Sequence, residues 1–188
     1  MNIIKMRYKT LLLAGVLAAT TGGVQGSEVT WYDGQRAVSY QVQGKIAPVV
    51  EIALQMFTSD MEQVTGRKAV SRKDATILIY ELDKNASAVS RLQRQGVPAA
   101  DVLGRHDAFW LGVRDGRILV VGANGRGCAY ALLELSRQAG VSPWVWWGDV
   151  VPEHRDRLVI DDSYTTLQAP SVAYRGIFIN DEDWSLRN

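Results

Sequence analysis

The sequence predicts an α/β (α+β-like) fold in which helices pack on a small mixed β-sheet. Three observations predict it. Two Asp-Gly pairs each lie between strand-forming segments, one short apolar run has the composition of a buried central strand, and apolar residues recur at helical spacing in three places. The predicted order is β-hairpin, helix, strand, helix, hairpin, helix and a short β-rich tail.

Composition limits the function classes before any motif is considered. Of 188 residues, 47% are hydrophobic and 22% charged, which is typical of a folded globular chain rather than a disordered one. The formal net charge of +1 provides no basic surface, so we expect no nucleic-acid partner. A single cysteine, Cys128, excludes a disulfide framework, and its apolar helical surroundings predict a buried thiol rather than a nucleophile.

The first 26 residues have the pattern of an export signal. Three basic residues within the first nine precede the apolar run 11–19, and small residues follow it. A transmembrane helix needs about 20 apolar residues, roughly twice this run. We therefore expect a signal peptide over 1–26 with cleavage before Ser27, a secreted or periplasmic protein, and no transmembrane segment after cleavage. The mature chain loses three of 21 basic residues and becomes mildly acidic.

The first strands are predicted from turn chemistry and apolar runs. Asp33-Gly34 and Asp115-Gly116 each predict a hairpin, because Asp-Gly tolerates the positive φ angles of a type I′ turn. The apolar run 76–80 predicts a buried central strand. The predicted hairpin strands are 29–32 with 37–42, and 109–113 with 118–121.

One predicted helix precedes the central strand and another follows it. Apolar residues at intervals of three and four over 46–64 predict a helix that ends near Gly66. Residues 88–95 predict a shorter helix, which Gly96 and Pro98 stop.

A third apolar stripe over 128–139 predicts a helix with Asn124 as N-cap and Gly140 as C-cap. The glycine-rich segment Gly122–Gly127 connects it to a strand. A helix N-terminus attracts anions, but the spacing matches neither phosphate-binding fingerprint, so a tight strand-to-helix turn is the favoured interpretation. From this helix start Arg126 is a candidate ligand for an anionic sugar.

The segment 142–149 contains Trp144, Trp146 and Trp147. Indole rings stack on the C–H faces of sugars, but they also pack between domains, and we favour an interface for most of the cluster. Strand alternation would place Trp147 on the opposite face from the other two. His106 and His154 have no partner at metal-ligand spacing, so no metal is expected, and no G-x-S-x-G motif indicates a serine hydrolase.

The tail predicts a change of domain. A polar stretch over 161–166, read as a linker or a strand-to-strand connection, ends at Pro170, and the apolar run 172–179 predicts a strong strand. Asn180, Asp181 and Glu182 follow it. Polar groups at the carboxyl end of a barrel strand are where (β/α)₈ enzymes place their chemistry, although a solvated acidic turn has the same composition. We therefore expect one domain over 27–170 and the start of a second, cut short, over 171–188.

Three blocks of sequence, 122–136, 140–149 and 172–184, resemble glycoside hydrolase family 115, the xylan α-1,2-glucuronidases. The resemblance implies an N-terminal α/β accessory domain followed by a TIM barrel, whose truncated first strand would be 172–179, and further C-terminal domains. It implies removal of glucuronic acid, or its 4-O-methyl ether, from the polysaccharide glucuronoxylan, with inversion and no cofactor. The resemblance also leaves open a homodimer that forms through the implied further domains.

The resemblance makes Asp181 the catalytic candidate, with Asn180 and Glu182 as substrate-binding candidates. Arg126, at the helix start, is a further substrate-binding candidate. An inverting mechanism needs an acid and a base roughly 6.5–9.5 Å apart on opposite sides of the bond. Adjacent carboxylates at one strand end do not meet that requirement, so we expect these 188 residues alone to be inactive. The alternative is an exported carbohydrate-binding or scaffolding module without catalysis.

Overall fold

The computed structural model describes residues 27–145 and 147–176. Its helices are α1 (Pro48–Thr65), α2 (Ala86–Arg94), α3 (Ala99–Leu103) and α4 (Gly125–Gln138), with short 3₁₀ turns at Leu82–Lys84 and Pro143–Val145. Its strands are β1 (Glu28–Tyr32), β2 (Ser39–Val42), β3 (Val70–Ser71), β4 (Ile77–Glu81), β5 (Phe109–Arg114), β6 (Arg117–Gly122), β7 (Leu158–Asp161) and β8 (Thr165–Gln168). The predicted mixed α/β class is confirmed.

The main sheet has six strands in the order β3-β2-β4-β6-β5-β8. The first four of these run parallel, and β5 is antiparallel to both β6 and β8. The predicted central strand is confirmed as β4, because all five of its residues are buried and it lies between two parallel neighbours. A separate two-stranded sheet pairs β1 with β7.

The second predicted hairpin is confirmed and the first is wrong. Asp115 and Gly116 have φ angles of 51° and 70°, and they join the antiparallel strands β5 and β6. At the first pair only Gly34 has a positive φ, and the Asp33 carboxylate accepts hydrogen bonds from the backbone N–H groups of Gln35 and Arg36. This turn carries the chain from one sheet to the other, because β1 pairs with β7 whereas β2 lies parallel to β4.

The predicted helices are confirmed, with caps close to those expected. Helix α1 ends at Gly66, whose φ is 72° and whose N–H donates to the Glu62 carbonyl. Asn124 caps α4 by accepting a hydrogen bond from the Gly127 N–H at 3.0 Å. At the other end of α4, Gly140 has a φ of 99° and follows the capping residue Ala139. The sequence did not predict the short helix α3.

Helices cover both faces of the main sheet. Ile77 and Ile79 of β4 belong to the core that contains α1 and α4, whereas Leu78 and Tyr80 belong to the core under α2 and α3. This alternation is the two-residue period of a strand that is buried on both faces. Helix α4 packs against α1 and against the strands β5 and β6. The strand-to-helix turn before α4 follows the carboxyl end of β6 and lies beside the amino end of β5.

The C-terminal part of the described chain, residues 162–176, differs from the prediction. Residues 162–164 connect β7 to β8, so this part of the polar stretch is a strand-to-strand connection, and β8 pairs with β5. Residues 171–176 form bends and coil, so the described part of the predicted strand 172–179 is not a strand. The rest of that prediction and the signal segment 1–26 lie outside the described residues. Within the described part of the chain, no helix is both long and apolar enough to span a membrane.

Candidate functional site

Close packing determines the glycine-rich turn between β6 and α4. A Cβ on Gly122 would lie 2.2 Å from the backbone nitrogen of Cys128, and one on Gly127 would lie 2.2 Å from the carbonyl oxygen of Ala108. Both glycines are therefore required by neighbouring backbone rather than by a ligand. This supports the interpretation of the segment as a tight strand-to-helix turn.

Asp107 lies beside this turn and is the centre of a charged cluster. Its carboxylate is fully buried. Its backbone has a positive φ of 50°. Oδ1 accepts hydrogen bonds from Asn124 Nδ2 at 2.9 Å and Arg126 Nε at 3.2 Å, and Oδ2 accepts one from Arg175 Nη2 at 2.9 Å. Burial opposes ionisation, but the bonds from Asn124 and Arg175 and the charge of Arg126 outweigh it, so the pKa of Asp107 lies below its ordinary value.

Arg126 is the one predicted site residue that the structure describes. It occupies the first turn of α4, its side chain is 54% exposed, and one face of its guanidinium pairs with Asp107. His106 contributes a further ring nitrogen 3.4 Å from Arg126 Nη2. Two guanidinium groups, those of Arg126 and Arg175, meet one carboxylate, so the cluster has a net positive charge.

Sequence reasoning missed Asp107, Tyr130 and Arg175. Arg175 donates to the Tyr130 hydroxyl at 3.0 Å, and its guanidinium lies 5.7 Å from the centroid of that ring. Arg175 and Asp107 are 68 residues apart, so no local pattern joins them. The available signal was the polar triplet 105–107, which one residue separates from the apolar strand β5 and where a polar side chain lies against the core.

A cleft of about 560 Å³ opens beside the cluster, between α1, α4 and the turn that follows α4. Its wall contains one strong ion pair, in which Arg137 donates to Glu134 at 2.6 and 2.8 Å. Those bonds lower the pKa of Glu134, and burial raises the pKa of Tyr164 to about 12. The lining also includes Met56, Asp60, Asp107, Phe109, Tyr130, Leu133, Ser136, Val141, Ser142, Pro143, Val145, Gln168, Ala169 and Pro170.

The two described tryptophans of the 142–149 segment are exposed. Trp144 is 65% exposed and Trp147 is 79% exposed, while Trp146 lies outside the described residues. Pro143–Val145 is a 3₁₀ turn and not a strand, so the predicted alternation of faces is wrong there. Exposed indoles fit either stacking on a sugar or contact with another domain.

Neither the thiol nor the histidines form a reactive centre in the described structure. Cys128 is buried, its thiol donates to the Tyr80 carbonyl at 3.1 Å, and burial raises its pKa, which confirms the structural role predicted for it. His154 lies 3.2 Å from the exposed Asp156. Residues 27–145 and 147–176 contain no group of three or more His, Cys, Asp or Glu side chains that could hold a metal ion.

Asn180, Asp181 and Glu182 lie outside the described residues, so their predicted roles stay predictions. The described chain reaches Gly176, and Arg175, joined to Asp107, is six residues before Asp181. Arg126 and Arg175 therefore belong to one cluster around Asp107, and Arg175 lies on the segment that leads toward residues 180–182.

Comparisons with known proteins bear on the fold that holds this cluster. No family model matches the chain, and no curated protein matches it. A solved structure described as a family GH115 4-O-methyl-α-glucuronidase, BtGH115A, with specificity for decorated arabinogalactans, is similar to it at 35% identity and a TM-score of 0.69 over 79% of this chain. The chain is GH115-like. This GH115-like chain spans 19% of the length of that protein.

A second solved structure, CpGH84D, is 15% identical over 73% of this chain and 21% of its own, with a TM-score of 0.43. The GH115 likeness supports a glycoside hydrolase-related function and agrees with the resemblance found in the sequence blocks 122–136, 140–149 and 172–184.

Proposed function

We propose that the chain is the N-terminal part of an exported glycoside hydrolase that removes glucuronic acid, or its 4-O-methyl ether, from a polysaccharide by inverting hydrolysis without a cofactor. The observation that carries the proposal is the 35% identity, over 79% of this chain, with a GH115 4-O-methyl-α-glucuronidase. The described residues form an accessory domain in this proposal. The catalytic barrel follows it.

The charged cluster supports binding of an anionic sugar. Glucuronic acid carries a carboxylate at neutral pH, and a guanidinium donates two parallel hydrogen bonds to such a group. Arg126 is half exposed beside Asp107, and Arg175 adds a second positive charge. Arg126 is therefore proposed to contact the uronate from the accessory domain.

Asp181 is proposed as the catalytic carboxylate that accepts a hydrogen bond from the attacking water or from a sugar hydroxyl. Its unperturbed pKa of about 3.9 keeps such a group ionised at neutral pH. Asn180 and Glu182 are proposed to bind substrate and orient neighbouring groups. The second essential carboxyl group is proposed to come from another part of the catalytic barrel, because acid and base stand roughly 6.5–9.5 Å apart in inverting enzymes and adjacent carboxylates at one strand end do not.

The test is Asp181→Ala in the complete polypeptide that contains this chain. Loss of a positioned general base costs about 10²–10⁴-fold in rate, so uronic acid release should fall by at least about 100-fold with thermal stability nearly unchanged. Asp183→Ala, in the same acidic segment, is the matched control and should retain activity. Near-wild-type release of uronic acid by Asp181→Ala would contradict the catalytic role and favour the interpretation of the segment as a solvated acidic turn.

Two polysaccharides are candidates for the substrate. The sequence resemblance implies glucuronoxylan, whereas the described specificity of BtGH115A favours a decorated arabinogalactan as the second candidate. Parallel assays of uronic acid release from the two polymers, at equal uronate concentration, distinguish them by the ratio of kcat/KM. The 188-residue chain alone should release nothing from either polymer.

An exported carbohydrate-binding or scaffolding module remains the alternative function. It predicts that the complete polypeptide binds the polymer without releasing uronic acid and that Asp181→Ala leaves binding unchanged. Cell fractionation tests the proposed export, with the protein expected outside the cytoplasm and a mature N-terminus at Ser27. A protein retained in the cytoplasm with Met1 intact would contradict the signal peptide.

A further inference from the structure

The C-terminal end of α4 has an exposed apolar surface, which we call the cleft face. It consists of Leu133 on α4, residues 143–145 and Trp147 of the turn that follows α4, and the cleft lining between them. Pro143 and Val145 of this turn line the cleft, and Trp144 and Trp147 of the same turn are 65% and 79% exposed. Leu133 also lines the cleft and is 41% exposed.

This surface is unusual for a face that stays in water. Isolated exposed apolar residues are normal, but contiguous apolar patches around a concave site mark interaction surfaces. Burial of two indoles and several aliphatic side chains would remove a large apolar area from water, which is favourable.

The described chain ends at this face. Residues 168–170 line the cleft directly after β8. Arg175 is then held at the rim, because it contacts Tyr130 and Asp107, which both line the cleft. The polypeptide after Gly176 therefore starts beside the cleft face, and its sequence begins with the apolar run 177–179.

We propose that the cleft face is the docking surface for the polypeptide that follows Gly176. Three facts support this occupant: the chain leaves along the cleft, the residues that follow begin with an apolar run, and the chain spans only 19% of the length of its GH115 relative. The inference goes beyond the proposed function, since a docked domain of any activity would satisfy it. The Arg175–Asp107 contact fixes where docking starts.

The experiment compares two leucines in the complete polypeptide. Leu133 on the cleft face and Leu103 at the end of α3 are both 41% exposed in the described chain. Because their exposure is equal, substitution by Gln costs both sites a similar part of their own packing. Any additional loss at Leu133→Gln reports a contact with the following polypeptide.

We expect Leu133→Gln to lower the Tm of the unfolding transition of the described domain, followed within the complete polypeptide, by about 2–4 °C more than Leu103→Gln does, the shift that corresponds to a loss of about 1 kcal/mol in a domain of this size. Trp147→Gln should lower the Tm by a comparable or larger amount, with Ile52→Gln, an exposed position on α1, as its control. Equal shifts within each pair overturn the proposal.

Two other occupants give different results, and each overturns it. If the wild type sediments as a dimer that Leu133→Gln converts to a monomer, the face binds a second copy. If Leu133→Gln leaves the Tm unchanged but weakens binding of uronate-bearing oligosaccharides, the face binds glycan. The test is independent of activity: an inactive polypeptide that shows the Leu133 difference contradicts the proposed function and supports docking, and an active polypeptide without the difference does the reverse.

Discussion

The two ends of α4 differ in how completely the described chain surrounds them. At the N-terminal end, Gly122 and Gly127 lie so close to neighbouring backbone that neither has room for a methyl group. At the C-terminal end, Trp147 is 79% exposed and Gly148 has only ordinary contacts around it. The helix is therefore preceded by a turn fixed by its own domain and followed by a turn whose indole side chains lack cover. A substitution should be costly in the turn before the helix and cheap at Gly148 in the turn after it.

The largest effect is expected for Gly127→Ala at the closed end. The added Cβ would lie 2.2 Å from the Ala108 carbonyl oxygen, which already accepts a hydrogen bond from the Ala123 N–H. Because that neighbour is backbone and cannot rotate away, the free energy of unfolding should fall by about 1–3 kcal/mol or more. Urea unfolding measures the loss. A loss below about 0.5 kcal/mol, the range of neutral surface changes, would show that this end yields easily.

Asp107→Ala should give the next largest effect at the same end. It removes the acceptor of three side-chain hydrogen bonds, those from Asn124, Arg126 and Arg175. Hydrogen bonds to a charged group contribute about 1.5–3 kcal/mol, and since both arginines reach solvent we expect the lower part of that range. The exposed Asp74→Ala, which loses a surface pair with Arg72, is the control and should cost far less.

The effect of Asp107 should also depend on pH. Its pKa is lower in the folded chain than the ordinary 3.8, so its contribution is present above that value and is lost as the pH falls through the folded-state pKa. In acid the difference in free energy of unfolding between wild type and Asp107→Ala should therefore shrink. Urea unfolding at neutral pH and in acid checks this, and a difference that stays constant would show that the carboxylate charge is not what stabilises the cluster.

Glu81→Gln should have a smaller effect of opposite sign. Glu81 ends β4 and is buried; Oε2 accepts from the Ala47 N–H at 2.6 Å, and Oε1 has no hydrogen-bond partner among the described residues. Burial, followed by the proximity of Asp83, raises its pKa above the ordinary 4.5. Its contribution is therefore present below that value and is lost as the pH rises through the folded-state pKa.

Glutamine keeps an acceptor for the Ala47 N–H and has no charge to bury. The variant should therefore equal or exceed the wild type in free energy of unfolding at neutral pH, and the advantage should vanish in acid. Glu62→Gln, at an exposed position on α1, is the control. A variant that is less stable than wild type at neutral pH would indicate that the buried carboxylate is ionised and stabilising.

The sequence predicts the parts of this molecule whose contacts are local. Asn124 bonds to Gly127 three residues away, and Asp115-Gly116 joins strands that are neighbours in the chain. The hairpin predicted at Asp33-Gly34 is wrong, because β1 pairs with β7, whose residues lie more than 120 positions further on. Tertiary packing determines that β1 pairs with β7, and the Asp-Gly dipeptide gives no information about that partner.

The candidate site shows the same limit. Arg126 was identified because it opens a helix after a glycine-rich turn, which is a local pattern. Asp107 and Arg175 were missed because their contact joins positions 68 residues apart. A buried carboxylate is recognised by its surroundings, and a charged residue next to an apolar strand has the same sequence appearance whether it faces water or the core.

The smallest effect is expected for Gly148→Ala, the counterpart of Gly127→Ala at the open end of α4. A Cβ on Gly148 would lie 3.5 Å from the Trp144 carbonyl oxygen and 3.7 Å from its next neighbours, which are ordinary van der Waals distances. Gly148 also has no positive φ angle, so alanine adopts its conformation without strain.

Because alanine restricts the unfolded chain more than glycine does, the free energy of unfolding should rise by about 0.4–1 kcal/mol. Urea unfolding of the 188-residue chain measures this rise. A loss as large as that of Gly127→Ala would mean that the turn after α4 is packed as tightly as the turn before it, and the contrast between the two ends would disappear. In the complete polypeptide the same substitution sharpens the comparison: a rise in the 188-residue chain that becomes a loss there would show that the docked polypeptide contacts Gly148.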